Sequence, residues 1–238
     1  DLPPVRGLLG TKEYFNKINF LNLFKGLLLG TGLQVFTLSV ILIWGNIVVE
    51  KVNPLRIIIP SLLAALIAAV MEEWLFRYLL YRWLLSKFRL HTAIVFSALI
   101  FGALHLFNDH ISVLSILSIM LQAGVLLPVL YTFTNSLAFV IGVHFAWNSL
   151  QMAFLGTPTS GTKSFGSLFE VRLIGSDIIT GGNFGVEASL QASLICLLTT
   201  CVFIRFIYLY KLHAKYNYES CNGKDVLTQP NHKKEIIY

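Results

Sequence analysis

Read along its length, the chain repeats one pattern: a long apolar run, a short polar break, then another apolar run. Such runs cover about 26–49, 56–85, 91–108, 111–131, 134–155 and 186–210. A helix needs about 20 apolar residues to cross the hydrocarbon core of a bilayer. The pattern therefore predicts an all-α protein, a polytopic transmembrane helix bundle of about six spans. No short apolar region followed by a small-residue cleavage site precedes the first run, which reads as a span rather than a signal peptide.

The breaks carry further detail. Residues 1–25 mix Arg6, Lys12, Lys17 and Lys25 with aromatic and aliphatic positions and read as an interfacial N-terminal segment. The second run ends in YRWLLSKFR, where Tyr81 and Trp83 are expected as interface anchors. Pro60 and Pro128 fall within runs and are tolerated there if neighbouring helices satisfy the carbonyls they free. Residues 156–185 are rich in Gly, Ser and Thr and read as a loop, in part re-entrant. The tail, 211–238, is polar and charged and is expected to be solvated and partly disordered. Residues 26–210 thus form one transmembrane domain, without internal repeats.

Composition agrees. The 238 residues are 55% hydrophobic and 13% charged, against about 25% charged in soluble domains, so the excess apolar surface needs membrane lipid as its partner. The net charge of +6 does not point to nucleic acid, because the basic residues flank apolar runs, where they meet headgroups. With six spans, thirteen Lys and Arg fall on the side of the termini and four on the other, Arg77 being intramembrane. Cytoplasmic segments hold the excess of positive charge, so the expectation is a multi-pass protein of the cell membrane with both termini cytoplasmic. Cys196, Cys201 and Cys221 are too few for a disulfide framework.

The candidate chemistry lies where charge is expensive. Of twelve acidic residues only Glu72 and Glu73 lie well inside an apolar run, in AALIAAVMEEWLFRYLL, where each costs a few kcal/mol on insertion scales. Arg77 follows Glu73 by four residues, the favourable orientation for a helical ion pair. Glu72 points to a different face, free for another partner, and desolvation there suits a general base. His105 stands in the third run, with Asp109 four residues on as a local partner. His144 and Asn148, also four apart, share a face of the fifth. Each of these alone is also explained by helix–helix hydrogen bonding.

Together EEWLFR, FGALH and HFAWN match an EExxxR, an FxxxH and an HxxxN pattern, in that order and on three separate spans. In this the chain resembles the CPBP, or Abi, family of intramembrane proteases, which includes the Ras-converting CAAX protease. The resemblance covers about 56–155. It implies peptide-bond hydrolysis by a glutamate-activated water in a polar intramembrane cavity. Glu72 would be the base, His105 would hold or polarise the water, and His144 with Asn148 would form the oxyanion hole. Glu73 and Arg77 would support them electrostatically. The substrate would be a membrane-associated peptide or protein, lipidated in some members. The chain has fewer spans than the longer eukaryotic members, which leaves prenyl recognition open. No cofactor is expected. The alternatives are a zinc-dependent protease, for which no HExxH pair is present, a transporter, and a non-catalytic scaffold or immunity protein of the same fold.

Overall fold

The computed structural model describes residues 20–227, and most of the expected interfacial segment therefore lies outside the described residues. Six helices are long and apolar enough to cross a membrane: α1 (Phe20–Trp44), α2 (Leu55–Lys87), α3 (Leu90–Phe107), α4 (Val113–Thr134), α5 (Leu137–Leu155) and α6, whose spanning part is Leu190–Tyr210. The last continues as helix to Leu227, carrying the first part of the polar tail; 228–238 are outside the described residues. The protein is an integral membrane protein, and much of its outer surface is apolar, as at Leu28, Phe36, Leu63, Ile67, Leu194 and Leu198.

Two expectations change. The first span ends at Trp44 rather than near residue 49, because Asn46–Val52 forms strand β1. It pairs antiparallel with β2 (Phe169–Ile174) from the loop between α5 and α6. Four spans separate the two strands, so their pairing places both loops at one end of the bundle, opposite the start of α1. Tyr81 is not an interface anchor. It is fully buried, its hydroxyl 2.8 Å from Thr132 Oγ1 and its ring edge-on to Tyr131. The phenol has found a polar partner inside the bundle and has no need of headgroups. Trp83 remains exposed.

Pro60 falls in the first turn of the α-helical part of α2, just after the 3-10 turn Leu55–Ile58, where its fixed φ suits the start of a helix. Helix α1 buries a single stripe, Gly26, Gly30, Leu33, Gln34, Thr37 and Ile41, spaced as one helix face requires. That stripe packs on α5 with backbones in near contact. A Cβ on Gly26 would lie 2.0 Å from the Phe139 carbonyl oxygen, and one on Gly30 2.4 Å from that of Val143. Gly142 meets Leu23 in the same way from the other side, at 2.5 Å. Without a hydrophobic drive between helices in lipid, close approach through small residues supplies the packing. This seam fixes the helix that carries His144 and Asn148.

Gly26→Leu should therefore lower thermal stability in detergent by at least the roughly 1–3 kcal/mol typical of overpacking, since backbone cannot rotate aside. Gly32→Leu, on the same helix but with open space around its α-carbon, should unfold near the parent temperature.

Candidate active site

Helix α2 is composite. An α-helix over Ile59–Glu73 passes into a π-helix over Trp74–Tyr81 directly after the two glutamates. Wide i→i+5 turns of this kind are costly and recur at functional sites. Two more lie beside the cavity, Met120–Leu126 in α4 and Leu150–Leu155 in α5. The second begins two residues after Asn148.

The adjacent glutamates face different surroundings. Glu73 is fully buried. Its Oε2 lies 3.0 Å from Arg77 Nε as a close ion pair without an aligned N–H. Its Oε1 lies 2.8 Å from His144 Nδ1. A carboxylate only accepts, so His144 donates through Nδ1 and turns Nε2 the other way. There Glu72 Oε2 stands 4.0 Å off, on a side chain about one-third exposed. His144 thus bridges both acids, although it follows them by some seventy residues.

Arg77 is fully buried too, which calls for compensation on every side. Phe101 offers its ring face, 5.0 Å from the guanidinium carbon, and the Ala123 carbonyl accepts from Nη2. That carbonyl is free for a specific reason. In the π-helix over Met120–Leu126 the partner of a carbonyl is the N–H five residues on. For Ala123 this residue is Pro128, which has none. The proline that the sequence marks as merely tolerable therefore leaves an acceptor for the intramembrane cation.

A cavity of about 320 Å³ brings the four candidates together: Glu72, His105, His144 and Asn148 all line it. His105 does not turn to Asp109. Its Nδ1 lies 2.8 Å from the Phe101 carbonyl of the preceding turn, and its ring stacks on Phe101 with centroids 4.5 Å apart. Since a carbonyl can only accept, Nδ1 is the donor and Nε2 is left free of that bond. The segment after α5 roofs the cavity with Thr159, Ser160, Thr162 and Phe165. Glu187, at the approach to α6, is buried and lines it as well. It is a further acid that apolar periodicity alone does not single out. Among the described residues no three His, Cys, Asp or Glu side chains form a group able to hold a metal ion.

The fold and site define a polytopic membrane protein with a buried carboxylate–histidine constellation under a loop roof. Residues 54–150 match the family model described as "Type II CAAX prenyl endopeptidase Rce1-like". Over these residues, which include EEWLFR, FGALH and HFAWN, the chain is similar to that family, which supports a CPBP/CAAX protease assignment. No curated protein and no solved structure matches the chain.

Removing Arg77 strands Glu73, so Arg77→Ala should cost about 3–5 kcal/mol, as for other broken buried pairs. Glu73→Gln in the same chain should recover much of this, because Gln still accepts from His144 and carries no charge. Pro128→Ala restores an N–H near the Ala123 carbonyl and should lower stability of the Arg77 chain more than that of Arg77→Ala. Detergent unfolding curves of the four variants check both.

Proposed function

We propose that the chain is an intramembrane endopeptidase that hydrolyses a peptide bond of a membrane-associated protein or peptide with a water activated by Glu72. The observation that carries the reading is the division of labour between neighbouring acids. Glu73 is committed on both oxygens, whereas Glu72 faces the cavity beside three other polar residues of the family motifs. Glu72 takes a proton from water as the oxygen attacks the carbonyl carbon, and returns it to the leaving amine. His105 helps hold the water. His144, with Nδ1 donated to Glu73, carries a second N–H on Nε2, and with the Asn148 amide it donates to the oxyanion. Before the water proton moves, the charges of Glu72 and Glu73 offset those of Arg77 and a doubly protonated His144.

A zinc-bound water is the competing source of the nucleophile. Three protein ligands are usual at such a centre, and the donors of Glu73 and His144 Nδ1 are engaged with each other. The family description names prenylated CAAX substrates; a leader or pheromone peptide is the other class in view. Both termini are assigned to the cytoplasm on the distribution of basic residues.

A farnesylated CAAX peptide, and the same peptide without its lipid, should be offered to purified protein. Glu72→Gln should lower turnover by about 10²–10⁴-fold with folding retained, and Asn148→Ala by about 10²–10³-fold, mostly in kcat. Activity in Glu72→Gln with none in Glu73→Gln would reverse the two acids' roles. Cleavage should survive exhaustive chelation; loss restored by zinc would establish the metal mechanism.

A further inference from the structure

The roof closes the cavity at the end of the bundle that carries the two strands. Ser160 donates its backbone N–H and its hydroxyl to Glu187 Oε1 at 2.6 and 2.7 Å. Its carbonyl accepts from the Asn108 amide, just past α3, at 2.9 Å. At the other edge the Phe165 N–H donates to Ser61 Oγ of α2 at 3.1 Å, and the Ser164 hydroxyl donates to the Met152 carbonyl of α5 at 2.7 Å. A Cβ on Gly166 would lie 2.5 Å from the Ile57 carbonyl oxygen, so the roof backbone rests directly on the start of α2. The roof is thus tied down on several spans at once.

The side between α2 and α3 is built differently. These helices pack near their shared turn, up to Phe76 and Phe101, whose rings meet edge to face at 4.7 Å. Beyond that pair they part, and Ile59–Glu73 of α2 packs on α5 instead. One turn past the two rings, Glu72 and His105 both line the cavity. Ala64, Ala68 and Glu72, spaced four apart, form one strip of its wall, and all three are partly exposed. The strip is about 12 Å long, the length of about four residues of extended chain. Its rim is apolar: Ile67 and Met71 on α2 and Leu104 on α3 are exposed. In a bilayer such residues meet lipid, so the cleft faces hydrocarbon.

We propose that substrate reaches Glu72 sideways from the bilayer, between α2 and α3, as an extended apolar segment laid along Ala64 and Ala68, and that Ala68 limits the size of the residue beside the cleaved bond. Two alanines leave room for a peptide backbone and its side chains where a larger residue would fill the strip. A membrane-anchored segment entering here stays in hydrocarbon until its carbonyl lies beside Glu72, and the roof remains in place above it. The substrate part of this inference rests on the endopeptidase reading; the opening toward lipid does not.

Three measurements on the full chain test it. In a farnesylated CAAX peptide series with Gly, Val or Leu next to the lipidated cysteine, Ala68→Leu should lower kcat/KM by about 10–200-fold for the Leu peptide, the range for a misfit in an apolar pocket, and least for the Gly peptide. Ala68→Gly, which only adds room, should shift preference the other way. Equal losses across the series overturn the role of Ala68. Ser61 and Ser164 lie with their hydroxyls 3.2 Å apart, so Ser61→Cys with Ser164→Cys should allow the roof to be locked onto α2 by oxidation. The locked chain should cleave as fast as its reduced form; loss of cleavage on locking means entry under the roof and overturns the lateral path. Independently of activity, a phospholipid with a diazirine in its acyl chain, irradiated in phosphatidylcholine vesicles, should attach to the Glu72 carboxyl, and less so in Ala68→Leu. No adduct on Glu72 overturns the opening to lipid. If the parent cleaves none of the peptides while Glu72 is labelled, the endopeptidase reading fails and the cleft stands.

Discussion

Glu73 is held between Arg77 on its own helix and His144 on another, and most of the site follows from that contact. An isolated carboxylate at this depth is not tolerated, so its two oxygens must each meet a donor or a cation. One is supplied locally, at i+4. The other has to arrive from a different span, which forces α5 against α2 and sets the rotation of α5 about its axis. Asn148, one turn beyond His144, then faces the cavity without needing any contact of its own to place it. The glycine seam between α1 and α5 presses the same helix from behind, through backbone rather than through polar groups.

The cost of the arrangement is carried away from the carboxylates along a short chain of contacts. Arg77 takes the charge from Glu73, Phe101 covers the guanidinium, and the Ala123 carbonyl accepts a hydrogen bond from Nη2. The last link exists because a π turn and a proline coincide in α4. Phe101 also carries His105 on its ring and its carbonyl, so the second motif is tied to the first through one aromatic residue. Three separate spans are thereby coupled, through Phe101 of the second motif and through two residues that the motifs do not name, Ala123 by its carbonyl and Pro128.

The helical spans were legible because a span is a local property: some twenty apolar residues need no knowledge of their neighbours. The Glu73–Arg77 pair was legible for the same reason, since both ends lie within one turn. His144 was recognisable as a site residue, but its partner was not, because helix-face geometry says nothing about a residue on another span. Glu187 stood at the head of an apolar run and looked like any residue at a helix entry; only the folded roof shows that it is buried. Tyr81 was misjudged because aromatic residues near a span end sit at the interface so often. The strand β1 was hidden inside an apolar run, where Ile47, Val48 and Val49 suit a helix in lipid as well as a strand outside it. The pairing with β2 decides between them.

The two-stranded sheet and the roof lie at one end of the bundle, and the start of α1 and the C-terminal extension of α6 at the other. In a sealed vesicle this makes the molecule directional. A water-soluble reagent on one side meets the roof and the strands; on the other it meets the C-terminal extension of α6 and the short turn between α4 and α5. A soluble partner inserted in the turn between α4 and α5 would lie at the end of the bundle opposite the two strands.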